Sequence, residues 1–268
     1  MGILDNVETG VKQSARKLII YGPAKIGKST FCAAAPKPLL VRLEDLVDDI
    51  DCAKTPLLTK YQEVADLIKE LAESTHDYKT LIIDPIGDLE RLIHVHLCQK
   101  YGWKSITDDS KKETAFQNGY KIEAPKGWRT FCSNLDYLRK KRNMNIILIA
   151  HEAKSLEKPT DKESYDKLIP AINIHSVSVI ERWADIIGHY GPDYLVDKDA
   201  KTKRGRAIGL DSRSLELDGR NPAILSGNSF HFGNITPVNL GNLKDIMKFL
   251  LEDNLTPGRD ETKTKGKK

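Results

Sequence analysis

The sequence predicts an α/β protein: a mostly parallel sheet flanked by helices, with antiparallel strands added at the C-terminal edge. Three observations carry this. Short, almost uninterrupted apolar runs recur at 17–21, 39–43, 80–84 and 145–150, as expected of strands covered on both faces. Amphipathic stretches at helical spacing separate them. After Gly188 the texture changes to short strand-like runs at 194–196, 206–210 and 215–217, divided by polar turns, which reads as antiparallel strands joined to a sheet edge.

The helical stretches each present one apolar face. Tyr61, Val64, Ala65, Ile68, Leu71 and Ala72 form the first, and Leu89, Leu92, Ile93, His96 and Leu97 the second. Trp128, Phe131, Cys132, Leu135 and Leu138 form the third. A further helix is expected at 176–187, stopped by Gly188, and a closing helix at 242–252 with Leu243, Ile246, Met247 and Leu250 inward. Two long polar segments, 102–126 and 152–173, follow neither period and read as functional loops. The expected organisation is an N-terminal arm over 1–14, one main domain over 15–240, and a C-terminal helix with a basic tail over 241–268.

Composition bounds the function. A chain of 268 residues can bury one substantial core, and 40% hydrophobic with 30% charged residues is ordinary for a soluble globular protein. The net charge of +4 permits a nucleic-acid partner without demanding one, and the tail at 262–268 holds part of it. Cys32, Cys52, Cys98 and Cys132 are scattered, with no CxxC and no Cys/His cluster. That argues for reduced thiols rather than a disulfide frame or a zinc site. No apolar run approaches the roughly 20 residues of a membrane span, and the start has no secretory pattern. A cytoplasmic protein without a membrane partner is expected.

The chemistry begins at Gly22-Pro23-Ala24-Lys25-Ile26-Gly27-Lys28-Ser29-Thr30. Gly22 to Ser29 satisfies G-x-x-x-x-G-K-[ST] at every specified position, directly after a strand and before a short helical stretch ended by Pro36. Glycines let the backbone curl so that successive N–H groups point at phosphates. Lys28 is expected to reach the β- and γ-phosphates of ATP, and Ser29 to ligate Mg²⁺. A second metal-side group should end another strand, and Asp84 closes Thr80-Leu81-Ile82-Ile83. Glu44 follows the additional strand at 39–43, where a carboxylate facing the γ-phosphate can activate water. Its plainer reading is a charge favouring the start of a turn. His151 ends the strand at 145–150, where it can sense the γ-phosphate and pass the signal to the segment 152–173. His94 and His96 form H-x-H, but on a helix two residues apart they diverge, and His96 reads as a core residue.

These residues carry a resemblance. The phosphate loop, Leu43-Glu44-Asp45, Ile82-Ile83-Asp84 and Met144-Asn145-Ile146-Ile147-Leu148-Ile149-Ala150-His151 resemble the RecA-fold ATPases encoded by bacteriophages. With Glu181-Arg182-Trp183-Ala184-Asp185 and the hairpin Lys203-Arg204-Gly205-Arg206-Ala207-Ile208-Gly209, they resemble more narrowly the phage P-loop single-strand annealing recombinases. The resemblance spans about residues 15 to 235. It implies a RecA-like P-loop NTPase that self-assembles into a ring or filament, binds single-stranded DNA and promotes annealing in the host cytoplasm. A single-stranded DNA-binding protein is a further partner it suggests. It assigns Lys28 and Ser29 to nucleotide and metal, Glu44 to water activation and His151 to sensing. It also calls for a basic residue donated between subunits, for which Arg206 is the first choice beside Lys203 and Arg204. The chain departs from the resemblance at Leu46-Val47-Asp48-Asp49, where a glycine-rich turn is expected.

Tyr101, Trp103, Phe116, Tyr120 and Tyr165, with Lys104, Lys111, Lys112, Lys154 and Lys158, could stack bases and follow phosphates in the two long segments. Neighbouring acidic residues offset much of that charge, so DNA binding is what the resemblance implies. Two other readings stand beside the ATPase: a DNA-processing or scaffold protein that keeps ATP as a structural ligand, and a small-molecule kinase. The kinase reading lacks an arginine-bearing lid.

Overall fold

The computed structural model describes residues 14–45, 49–198 and 205–252 together with Gly2 and Val7, and of 194–198 and 205–211 the backbone alone. The chain runs β1 (Lys17–Gly22), α1 (Lys28–Ala33), β2 (Pro38–Arg42), β3 (Ala53–Lys54), α2 (Tyr61–Glu73), β4 (Thr80–Asp84) and α3 (Ile86–Tyr101). It continues with α4 (Ala124–Arg142), β5 (Asn145–Glu157), β6 (Tyr165–Pro170), α5 (Ile174–Trp183), β7 (Ile186–Lys198) and β8 (Gly205–Glu216). β9 (Gly227–Asn228), β10 (Ile235–Val238) and α6 (Leu243–Leu251) complete it.

The sheet order is β10-β8-β7-β1-β5-β4-β2-β3. β7, β1, β5, β4, β2 and β3 run parallel, while at one edge β8 pairs antiparallel with β7 and β10 antiparallel with β8. This is the fold class expected from the apolar runs. The two-residue side-chain period divides the core into two layers. Ile19, Tyr21, Val41, Ile83 and Leu148 face one side, against Leu71, Trp128, Phe131, Leu135 and Ile180 from α2, α4 and α5. Leu18, Ile20, Leu40, Ile82 and Ile147 face the other, against Phe31 of α1 and Met247 and Leu250 of α6. Each fully buried aliphatic side chain contributes about 1.5–3 kcal/mol, so α6 is part of the main core.

Three expectations need correction. The helix expected at 176–187 ends at Trp183: Ala184 is already extended at φ −73°, ψ 145°, and β7 starts at Ile186. Gly188 lies inside β7. A Cβ there would stand 2.8 Å from Leu215 Cδ1 and 3.2 Å from Ile20 Cδ1, so this glycine answers close packing and stops no helix.

The segment 152–173 is not an unstructured loop. β5 continues past His151 to Glu157 and turns back as β6, pairing Glu152 with Pro170 and Glu157 with Tyr165. The segment 102–126 is organised as well. Gly102 closes α3 at φ 67°, Asp108 accepts from the Lys104 and Ser110 amides at 3.0 Å, and a wide turn at Gly119–Glu123 leads into α4.

The short runs at 194–196, 206–210 and 215–217 are parts of longer elements. The first belongs to β7 and the second to β8, which also takes up Leu215 and Glu216. Lys203, Arg204, Leu46-Val47-Asp48 and the tail at 262–268 lie outside the described residues. Among the described residues no helix is long and apolar enough to cross a membrane.

Candidate functional site

The site is built where β1 gives way to α1. Gly22 ends β1, and a Cβ on it would lie 2.0 Å from the Tyr190 carbonyl oxygen of β7, so only glycine allows this approach. Gly27 starts α1 in the left-handed region at φ 95°, and Lys25 also has positive φ, at 61°. Between them Ala24 and Lys25 are exposed, Pro23 and Ile26 half-buried, and Thr30 exposed one residue beyond Ser29.

Lys28 points back into this loop. Its Nζ is buried and donates to the carbonyl oxygens of Gly22 at 3.0 Å and Pro23 at 2.7 Å. Burial lowers its pKa, and the nearby Asp84 carboxylate opposes that shift. Ser29 Oγ donates to Asp84 Oδ2 at 2.5 Å. Asp84 is 3% exposed, and burial pushes its carboxyl above the usual range against the pull of Ser29, Lys28 and His151. A hydroxyl, an ammonium and a carboxylate therefore share one desolvated pocket.

Parallel register brings Glu44 and His151 to the same place. Arg42 pairs with Asp84, and the Leu43 amide donates to the Asp84 carbonyl at 3.1 Å, so Glu44 emerges beside β4. Gly22 pairs with His151. Glu44 is half-buried. Burial first and Asp84 second raise its carboxyl, while His151 and Lys28 oppose them. His151 is exposed on the same rim. Lys28, Ser29, Glu44, Asp84 and His151 thus form one electrostatic cluster at the carboxyl ends of β1, β2 and β4, level with the point where β5 leaves its buried run.

The other candidates are placed differently. The Arg206 backbone pairs with Asp197 of β7, at the end of the hairpin away from the loop, and its side chain lies outside the described residues. Trp103 is 8% exposed and belongs to the core, stacked on Tyr101 with ring centroids 4.8 Å apart. Tyr120 is half-buried, edge-on to His94. Neither ring is a free stacking platform. Phe116 is one, 85% exposed with φ 55°. His96 is half-buried against Tyr61 with centroids 4.7 Å apart, in keeping with a packing role.

Sequence reading missed two features. His189 of β7 is 8% exposed and shares a 2.8 Å hydrogen bond with Glu152 Oε2 of β5, tying the strands that flank β1. Arg213 of β8 brings its guanidinium to the phosphate loop, with Nη1 3.2 Å from where a Gly27 Cβ would be. Both depend on strand register, which the local pattern does not reveal.

The residues fit a metal–nucleotide pair. Among the described residues no group of three His, Cys, Asp or Glu could hold a metal alone. One serine hydroxyl and one buried carboxylate suit Mg²⁺, which commonly takes one or two protein ligands together with phosphate oxygens and water. Loop, strand order and paired Ser29 and Asp84 define the class: a P-loop NTPase.

A family model described as an AAA domain matches residues 14–211, and the chain belongs to that family. No curated protein sequence matches it. Among solved structures, the crystal structure of the RadB recombinase is similar with 11% identity and a TM-score of 0.40, over 76% of this chain and 81% of that one.

Proposed function

We propose that the chain is an ATP-dependent, single-stranded DNA-binding protein of the phage annealing and recombination type. In this reading it assembles with copies of itself and hydrolyses ATP at the interfaces between them. The observation that carries the hydrolytic reading is the meeting of Glu44 with Lys28, Ser29 and Asp84 at one sheet end. A phosphate loop alone only binds. A carboxylate just beyond the additional strand, raised above its ordinary value, suits a base that takes a proton from water.

Bound Mg²⁺ and ATP would supply a phosphoanhydride whose developing charge the metal spreads. Ser29 and Asp84 are the groups to hold the metal, and the backbone of 22–27 with Lys28 those to hold the phosphates. Lys28 would exchange its loop carbonyls for phosphate oxygens, regaining a full counter-charge for a desolvated ammonium. Glu44 orients and deprotonates the attacking water.

His151 senses the γ-phosphate, and its conduit is a paired strand. The Ala171 amide donates to the His151 carbonyl at 2.8 Å, and β5 runs directly into the β5–β6 hairpin. A shift at His151 would move that hairpin as a unit. Exposed Phe116 and the hairpin lysines Lys154 and Lys158 are the proposed DNA contacts, and Arg206 is the proposed donor to a neighbouring subunit's site. A single-stranded DNA-binding protein is a proposed further partner.

The test is phosphate release with and without single-stranded DNA, alongside sizing with and without nucleotide. DNA-stimulated turnover that weakens with salt, with larger particles in nucleotide, is expected. Turnover indifferent to DNA would leave a nucleotide-binding protein of another kind.

A further inference from the structure

The phosphate loop has a second flank. Glu44, Asp84 and His151 approach it from β2, β4 and β5, on one side of β1. On the other side β7 and β8 extend as an antiparallel pair beyond the end of β1, and Arg213 stands on that extension opposite Pro192. Its position is doubly fixed, because Arg213 also pairs with Val238 of β10. The Tyr190 ring beneath it is 1% exposed and stacked on Phe31 of α1, with centroids 5.1 Å apart.

Arg213 is half-buried, and among the described residues no carboxylate lies within ion-pair distance of its guanidinium. Among the described residues its one hydrogen bond runs from Nη1 to the Tyr190 hydroxyl at 3.5 Å, the outer limit of such a bond. A half-desolvated cation with so little compensation is costly unless an anion completes its shell. The backbone it overhangs is Gly27, whose neighbouring amides in this loop type face the α- and β-phosphates.

We infer that Arg213 is a phosphate-binding residue supplied by the chain's own β8. It holds the α/β-phosphate end of a nucleoside di- or triphosphate from the flank opposite Glu44. The inference rests on the nucleotide reading above and adds to it a contact within the same chain, distinct from a basic residue donated by a neighbour. A planar fork suits two phosphate oxygens at once, which a lysine at the same place cannot match.

The experiment is calorimetric titration of Mg-ADP and Mg-ATP into wild type, Arg213→Met and Arg213→Lys, at two salt concentrations. Melting of each protein without nucleotide serves as the check on folding. Both nucleotides should bind Arg213→Met about 10- to 100-fold more weakly, with a shallower salt dependence, and Arg213→Lys should fall between. Equal ADP affinity in all three proteins would overturn the inference while leaving the nucleotide site intact. A loss confined to ATP would also overturn it, since it would place the contact at the γ-phosphate. A wild-type protein that binds neither nucleotide would overturn the underlying reading along with it.

Discussion

The two flanks of β1 contrast sharply. On the β5–β4–β2 side, parallel register brings the residues that close apolar runs to one rim: Glu44, Asp84 and His151. On the β7–β8 side, the groups near the loop sit in the middle of antiparallel strands, and Arg213 and Tyr190 reach it only through hairpin register. The first flank carries charge under tension, two carboxylates raised by burial beside a lowered lysine. The second is a packed wall, Tyr190 on Phe31, with one guanidinium. Residues that close buried parallel runs are legible in the sequence as candidates, and those placed by antiparallel pairing are not.

Substitutions can break this contrast. The largest effect is expected on the wall. Tyr190→Ala removes a fully buried ring that faces α1 and should cost about 3–5 kcal/mol of stability by denaturant unfolding. A loss below 1 kcal/mol would mean that the wall does not support the loop. Next, Glu44→Gln should slow ATP hydrolysis about 10²-fold while leaving ADP affinity near wild type. Normal turnover would return Glu44 to a structural charge.

Gly22→Ala tests where the flanks meet. A methyl group 2.0 Å from the Tyr190 carbonyl must push β1 and β7 apart, and a loss of about 1–3 kcal/mol is expected by thermal or denaturant unfolding. The smallest effect concerns pH. The folded protein holds the Glu44 carboxyl above its unfolded value, so its charge costs stability as pH rises through that window. Glu44→Gln without nucleotide should therefore melt slightly above wild type at pH 7.5, the difference closing as pH falls and the wild-type carboxyl protonates. A variant that melts lower than wild type at pH 7.5 would contradict the sign.

How much was legible follows the same division. β4 matches its sequence span and β1 differs by one residue, because a strand buried on both faces is apolar throughout and ends where polarity begins. Asp84, Glu44 and His151 were visible because they close buried apolar runs, and Lys28 and Ser29 because the phosphate-loop pattern specifies them. The extension of β5 was not: beyond His151 it leaves the core and pairs only with β6, so Lys154, Ser155 and Glu157 show no buried face. The start of β7 was hidden because Ile186 and Ile187 continue the apolar spacing of α5, and only the extended Ala184 breaks the helix. Trp103 looked like a stacking platform because its segment is polar, yet the loop folds it inward around Asp108.

The most direct test is a titration of Mg-ATP against wild type and Lys28→Ala, read by calorimetry. Wild type should saturate at one nucleotide per chain, and Lys28→Ala should lose affinity at least about 100-fold while keeping its fold, since the lost partners are charge-assisted bonds to phosphate. Equal binding by the two proteins would contradict the placement of the nucleotide at the loop between β1 and α1.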